Sequence, residues 1–383
     1  MSAVHYPDAT NSFAYLKNGL MVLASNATCW TTNTWDSANR LSQALVTNLV
    51  SQALYVNYAW DPVGNPTNEI TSLGVTNAMT FDAGERLSTA TITRAGLPAL
   101  RYAWDYNMNN GLVGSLVCTN TGVGLTNTFD IVDQTINIVW CKDGTVLANF
   151  DYLFDNAGMI TQKVAKIGSS VTTNRYSCDG LDRLVSESIS GAYTSSATFG
   201  YDLAGNRTNM ILDGVTQTYA YSNGCDRLMS WGTNDECTAA YTAAGCVTSL
   251  VFSATNKLYL SWNSEYELTS VATGTTSTVV ERNGYDGLKR RVWSWGNDED
   301  VTNYFLHDGA NLIADVDSTG GMRRAYAYGP GIDNILSMTV YTGATVTTYF
   351  YLTDHLGTVH AVTDSTGTNI VERYVYDAWG KVL

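Results

Sequence analysis

The chain has 383 residues and a formal net charge of -14, with 21 Lys and Arg residues against 35 Asp and Glu residues. Phosphate binding needs clustered basic residues, so this balance argues against a nucleic-acid partner, and we interpret the acidity as a source of solubility. Charged residues make up 15% of the chain, below the roughly 25% usual in globular proteins, which predicts a surface covered more by Thr, Asn and Ser than by ion pairs.

The one apolar run near the start of the chain, Leu20–Ala24, is too short to span a membrane, and it lies behind Asp8 and many polar residues. It fits neither a signal peptide nor an anchor. We therefore predict no membrane span. Export to the cell surface or the medium is expected to use a signal outside this chain or a dedicated export system.

A short phrase recurs along the chain: an aromatic residue, Asp, a few small residues, Gly or Asn, often Arg, and then an apolar residue or Thr. Clear copies begin at Phe81, Tyr201, Tyr285 and Tyr376, weaker ones at Trp35, Trp60, Trp104, Phe129, Phe154, Tyr221, Tyr241 and Trp262, and one copy has Cys178 in the aromatic position. From Trp35 to Tyr285 the copies start roughly 20 to 25 residues apart, a period typical of repeat architectures. No Gly/Ser-rich tract or charge run marks a boundary, so we predict one continuous repeat domain.

The phrase predicts a turn between two strands. Its Asp carboxylate can accept hydrogen bonds from the backbone N–H groups that follow, and its Gly or Asn supplies the positive φ of a tight reversal. The segments between copies, such as Thr216–Tyr221 and Leu258–Trp262, are rich in residues that suit a pleated, half-buried surface. A period of roughly 20 to 25 residues holds two strands and two turns. The predicted fold class is all-β, a continuous antiparallel sheet of stacked β-hairpins.

Segments Tyr201–Thr208, Tyr285–Val292 and Tyr351–Val382 resemble the YD repeats of rearrangement-hotspot (Rhs) and teneurin-like proteins. The most specific part is Tyr351–Val359, which resembles the start of the family's core-associated region. On this basis we assign residues 1–325 to a YD-repeat array and residues 326–383 to the start of the core-associated region, within the same sheet.

The resemblance implies a sheet that coils into a spiral, hollow shell (a β-cocoon) or part of one. In this family such a shell encloses a toxic polypeptide encoded at the C-terminus, or forms the extracellular barrel of an adhesion protein. The family's plug and its Asp-Pro-x-Gly-Leu autoproteolysis motif would follow Leu383, and Asp61-Pro62 lies inside a repeat and does not match that motif. The leading hypothesis is therefore a non-catalytic scaffold around a C-terminal toxin or effector that is absent from this chain. The alternative is a cell-surface adhesion or carbohydrate-binding module, whose Tyr and Trp faces would bind glycans instead of forming cross-strand ladders.

The four histidines are His5, His307, His355 and His360, and none belongs to a zinc-type motif. Asp354 and His355, with His360, could form a metal or acid/base site. The resemblance to the family instead implies that Asp354 to Gly357 is another turn held by a structural hydrogen bond. The many Asp residues that follow an aromatic residue and precede Gly also fit turn chemistry better than catalysis, because they recur whereas catalysis needs a single site. We predict no catalytic, cofactor-binding or metal-binding residue, no cofactor and no enzymatic activity, with an enzyme built on Asp354 and His355 as the remaining alternative.

The chain contains seven cysteines without C-x-x-C spacing, and we predict free thiols rather than disulfides or metal ligands. They are Cys29, Cys118, Cys141, Cys178, Cys225, Cys237 and Cys246.

Overall fold

The computed structural model describes residues 2–8, 10–222, 224–298 and 300–383. These residues form 34 β-strands and contain no helix. No helix long and apolar enough to cross a membrane therefore occurs in the described part of the chain. The strands are β1 (Ser2–His5), β2 (Thr10–Tyr15), β3 (Met21–Ser25), β4 (Trp30–Trp35), β5 (Leu41–Thr47), β6 (Leu54–Trp60), β7 (Pro66–Thr71), β8 (Val75–Phe81), β9 (Leu87–Arg94), β10 (Leu97–Tyr106), β11 (Val113–Cys118), β12 (Val123–Phe129), β13 (Thr135–Lys142), β14 (Thr145–Phe154), β15 (Ile160–Ile167), β16 (Ser170–Cys178), β17 (Leu184–Gly191), β18 (Ser195–Tyr201), β19 (Arg207–Leu212), β20 (Val215–Tyr221), β21 (Leu228–Gly232), β22 (Cys237–Tyr241), β23 (Val247–Val251), β24 (Lys257–Trp262), β25 (Leu268–Thr273), β26 (Thr278–Tyr285), β27 (Arg291–Gly296), β28 (Val301–Asp308), β29 (Asn311–Val316), β30 (Met322–Tyr328), β31 (Ile335–Thr342), β32 (Thr345–Thr353), β33 (Val359–Thr363) and β34 (Ile370–Arg373).

The strands form two compact units. Unit 1 contains Met1–Trp104, Cys118–Asn120 and Leu260–Thr348, and unit 2 contains Asp105–Val117, Thr121–Tyr259 and Tyr349–Leu383. Each unit thus combines an early and a late part of the chain. The predicted boundary at residue 326 lies inside β30, within unit 1, and stays a prediction.

Within each unit, consecutive strands pair antiparallel in two ladders. In unit 1, β1 to β10 form the leading ladder and β25 to β31 the trailing ladder. In unit 2, the leading ladder is β12 to β24 and the trailing ladder is β32 to β34. This arrangement confirms the predicted all-β fold of successive antiparallel hairpins.

Side chains alternate between the two faces along each strand, so that one row of them is buried. In β14, Ala148, Phe150 and Tyr152 are buried, and the residues between and after them are half-buried or exposed, as the two-residue period of a strand requires. In unit 1, Leu54 and Val56 of the leading ladder join Val316 of the trailing ladder in one apolar cluster. The two ladders of unit 1 are therefore held together by a shared core.

Candidate functional site

The recurring Asp closes a tight turn, as the sequence predicts. In the copy that begins at Tyr201, the Asp202 N–H donates to the Asn206 carbonyl at 2.9 Å, and Asp202 Oδ1 accepts the Asn206 N–H at 2.8 Å. Gly205 has a φ of 91°, in the left-handed region that favours glycine. The copy that begins at Tyr221 contains residue 223, which lies outside the described residues.

The aromatic residue of the phrase links neighbouring repeats through its polar group. The hydroxyl of Tyr201 donates to the Leu184 carbonyl at 2.7 Å, and the indole Nε1 of Trp60 donates to the Leu41 carbonyl at 2.8 Å. The same bond is made by the tyrosines of other copies, Tyr241, Tyr285 and Tyr376, and by Tyr328, which begins no copy of the phrase. Phenylalanine cannot donate such a bond, so the copies that begin with Phe81, Phe129 and Phe154 lack it. This use of the rings supports the cross-strand interpretation over a glycan-binding platform.

The Arg of the phrase ties the turn to the next repeat. Arg183 Nε donates to Asp179 Oδ2 at 2.8 Å, and its Nη1 donates to the Asp202 carbonyl at 3.0 Å. The equivalent ion pairs are Asp36 with Arg40, Asp82 with Arg86 and Asp286 with Arg290. Arg40 extends in the same way to the Asp61 carbonyl. The phrase is therefore a connector between repeats as well as a turn, a role that sequence reasoning did not assign to Arg.

Turns of the trailing ladder are buried where they pack on the leading ladder. In unit 1, Asn26 Nδ2 donates to the Tyr285 carbonyl at 2.9 Å, and Gly287 packs on the backbone at Ser25, so close that a Cβ on Gly287 would lie 3.3 Å from the Ser25 nitrogen. The Asp286 side chain is 0% exposed, whereas that of Asp36 in the leading ladder is 25% exposed. The same turn therefore has two environments.

In unit 2 this packing assembles a charged cluster around Asp354. Asp354 Oδ1 accepts the backbone N–H groups of Leu356 and Thr358 at 3.0 and 3.1 Å, which confirms the predicted turn. Its other oxygen, Oδ2, lies 3.1 Å from His360 Nε2 and 3.4 Å from Lys163 Nζ. Thr358 stands where other copies carry Arg, and the carboxylate instead contacts a lysine from β15 and a histidine from β33.

The protein environment of the cluster favours the carboxylate form of Asp354. Burial alone would raise the pKa of its carboxyl, but the hydrogen bond from His360 and the charge of Lys163 lower that pKa well below its usual value. The neighbouring His355 is not part of this pairing. Its ring packs edge-on against Tyr152, with ring centroids 4.5 Å apart, and burial lowers the pKa of its imidazole.

An open cleft of about 570 Å³ lies beside the cluster in unit 2. Lys163, Asp354, His355 and His360 line it, together with the aromatic rings of Tyr176 and Tyr376. Cys178 also lines the cleft, but burial and nearby carboxylates raise the pKa of its thiol, which disfavours the nucleophilic thiolate. Asp354 and His360, which the sequence singled out, line the cleft together with Lys163. The sequence did not indicate Lys163 as a site residue, because it lies far from the other two along the chain.

The other candidate residues lie apart from this cleft. His5 contacts Thr10, with Nδ1 and Oγ1 3.2 Å apart, and His307 Nε2 lies 2.9 Å from the Arg291 carbonyl. The described residues contain no group of His, Cys, Asp and Glu suited to hold a metal ion. All seven cysteines lie within the described part and form no disulfide there, with Cys29 and Cys118 buried and Cys225 exposed.

Unit 1 contains a second acidic group, at the half-buried residues Asp308 and Glu69. The Tyr58 hydroxyl donates to Asp308 Oδ1 at 2.6 Å, across the two ladders. Burial and the charge of Asp308 raise the pKa of the nearby Glu69 carboxyl from 4.5 to about 7. Two neighbouring carboxyl groups that are partly removed from water cannot both ionise without a cost in stability.

Comparison with known proteins gives a family and a set of similar structures. A family model described as Teneurin YD-shell matches residues 99–383. The tRNA nuclease WapA of Bacillus subtilis (strain 168) is 29% identical over 187 residues, which are 48% of this chain and 7% of that protein. The tRNA3(Ser)-specific nuclease WapA of Bacillus spizizenii is 30% identical over the same shares of the two chains. The chain therefore spans only a small part of the length of these relatives.

Two solved structures share the fold across nearly the whole chain. The Tc holotoxin pore of Photorhabdus luminescens has a TM-score of 0.79 and the TcdB2-TccC3-Cdc42 structure one of 0.81. Both are 14% identical, and the match covers 99% of this chain and 22% of theirs. At 14% identity, this similarity shows only that the fold is shared. Together with the family match, it confirms the YD-repeat fold that the turn phrase predicted.

Proposed function

Because the chain belongs to the teneurin YD-shell family, we propose that it is a scaffold segment of a shell that encloses a toxin or effector polypeptide. The observation that carries this proposal is the use of the recurring residues. Tyr201 and Arg183 bind the neighbouring repeat, and Asp202 holds its own turn. A chain whose recurrent side chains form hydrogen bonds between repeats is suited to holding a sheet together.

The relatives support a container role within much longer chains. They are tRNA nucleases and Tc toxin structures, and this chain covers 7% of the former and 22% of the latter. A segment of this kind would enclose the active part of such a protein, with the sheet coiled around a lumen. The cargo would be a polypeptide encoded after residue 383 and delivered outside the cell by a dedicated export system.

We further infer that the scaffold itself is not catalytic. Asp354 holds the turn with one carboxylate oxygen and accepts from His360 and Lys163 with the other, so the hydrogen-bonding capacity of its carboxylate is used within the protein. The ring of His355, the other residue of the enzymatic alternative, packs against Tyr152 instead of pairing with that carboxylate. Function would then lie in the enclosed space, not in a reactive residue of the wall.

Protease protection of the natural full-length gene product tests this proposal. The polypeptide encoded after residue 383 should resist digestion while the repeat sheet is intact. A variant with Tyr201, Tyr285 and Tyr376 all changed to Phe loses bonds between repeats and should lose this protection. Tyr15→Phe, at a side chain that is 52% exposed, is the matched control and should keep it.

Two results would overturn the proposal. One is a downstream polypeptide that is digested as fast in the intact product as when it is made alone. The other is a density map of the gene product in which the sheet encloses no lumen.

A further inference from the structure

Arg94 occupies an inward-facing position on an apolar row of unit 1. It ends β9, where Ala90, Ile92 and Arg94 are exposed by only 3%, 5% and 7%. Its cross-strand partners are Val75 of β8 and Leu97 of β10. A charged group in such a row is costly unless it is paired, because burial removes its hydration.

The guanidinium of Arg94 has no such partner. Its Nε and Nη2 atoms are buried and make no hydrogen bond. Burial lowers the pKa of Arg94, and the only ionisable groups that act on it among the described residues are Tyr341 and Tyr102, neither of which is a carboxyl. By contrast, Arg183 and Arg290 place the same Nε and Nη2 edge on an Asp carboxylate at 2.7 to 2.8 Å.

Hydroxyl groups cluster on the elements beside Arg94. The Tyr102 hydroxyl lies 2.8 Å from Ser337 Oγ, and Thr339 Oγ1 lies 2.9 Å from Thr348 Oγ1. Ser337 and Thr339 are both 0% exposed. With Tyr341 they follow a two-residue spacing on β31, which places their side chains on one face of that strand. Unit 1 therefore has a buried cation beside hydroxyl donors, and no described carboxylate compensates that cation.

We propose that Arg94 anchors a buried site for a carboxylate ligand in unit 1. The planar edge formed by Nε and Nη2 matches the two oxygens of a carboxylate, and hydroxyls of Tyr102 and Tyr341 supply further donors. Because Nε and Nη2 of Arg94 are buried, a ligand reaches them only when neighbouring side chains move. The carboxylate comes either from a free small acid or from an acidic side chain of a bound polypeptide.

Thermal unfolding in sodium formate and in sodium chloride of equal ionic strength tests the site. A ligand that binds only the folded state raises the unfolding midpoint with its concentration. We expect formate to raise the midpoint of the wild-type chain above its value in chloride. Arg94→Met should abolish that difference, and Arg94→Lys should reduce it, because an ammonium keeps the charge but lacks the planar fork. Arg101→Met, at an exposed position of β10, is the matched control and should keep the full difference.

A short peptide rich in Glu, tested in the same way, distinguishes the two sources of the carboxylate. A response to formate identifies a site open to free acids, and a response to the peptide alone identifies a site for a polypeptide carboxylate. The Arg94→Met chain should be at least as stable in chloride as the wild type, since it no longer buries an unpaired cation. Equal midpoints of the wild type in formate, peptide and chloride would overturn the proposal, as would an unchanged response in Arg94→Met.

Discussion

Replacing Asp354 by Asn removes one negative charge from the buried cluster of unit 2 and keeps the size of the side chain. The amide oxygen of Asn can still accept the backbone N–H groups of the turn, as the Asp354 carboxylate does from Leu356 and Thr358. The main change is therefore electrostatic. Lys163, whose side chain is only 13% exposed, loses its carboxylate partner.

The expected cost is large because the remaining charge stays buried. Removing one partner of a buried ion pair destabilises a protein by about 3–5 kcal/mol, since the other charge has lost both water and counter-charge. We expect Asp354→Asn to lower the free energy of unfolding by an amount in this range. The double variant Asp354→Asn, Lys163→Met should recover much of the loss, because no unpaired charge is then left in the cluster.

Asp179→Asn is the matched control for this prediction. Asp179 occupies the same position of the turn phrase in the same unit, but the side chain of its partner, Arg183, is 29% exposed and can be hydrated. Its loss should be clearly smaller. Urea unfolding followed by tryptophan fluorescence measures both variants, with unchanged m-values as a check that the unfolding transition is the same. Equal losses for Asp354→Asn and Asp179→Asn would refute this reasoning, and so would a double variant that loses as much as the sum of its single changes.

Three further predictions follow from burial. The pKa of Glu69 is raised from 4.5 to about 7 in the folded chain. Its contribution to the free energy of unfolding is therefore present below pH 4.5 and is lost as the pH rises through about 7. Glu69→Gln should remove this decrease in the free energy of unfolding, as measured by urea titrations at different pH values. Gly287→Leu should destabilise unit 1 by about 1–3 kcal/mol in urea unfolding because the added side chain meets the leading ladder, whereas Leu203→Gly, at the equivalent but fully exposed turn position, should have a much smaller effect. A thiol reagent followed by absorbance should modify the exposed Cys225 readily and the buried Cys29, whose thiol pKa burial raises to about 12, only after unfolding; equal rates would contradict the burial.

Local residue pattern was sufficient to predict the all-β fold and the turns of the recurring phrase. The turn phrase works over a few residues, since Asp202 binds backbone groups no farther along than Asn206. The Tyr and Trp rings were interpreted as cross-strand ladders. The hydrogen bond that Tyr201 donates to the Leu184 carbonyl adds a detail that the preference for Tyr and Trp over Phe could have suggested. Contacts between residues that lie a few positions apart can be predicted from a single sequence.

The charged cluster of unit 2 was only partly predictable. Asp354 and His360 attracted notice because they lie close together in the sequence, and the turn interpretation of Asp354 is confirmed. Lys163 could not be found, because it belongs to another ladder and reaches Asp354 only when the ladders pack. The absence of catalytic, cofactor-binding and metal-binding residues stays a prediction.

Two copies of the phrase show that the burial of a turn cannot be predicted from its own sequence. Asp179 and Asp286 are both followed by Gly, Leu, a variable residue and Arg, and both form the same ion pair with that Arg. Yet the Asp179 side chain is 25% exposed and the Asp286 side chain is 0% exposed. Each turn is made by contacts within a few residues, so its shape could be predicted from the chain alone. Burial depends on which distant strands pack over the turn, and that was decided only when the leading and trailing ladders came together.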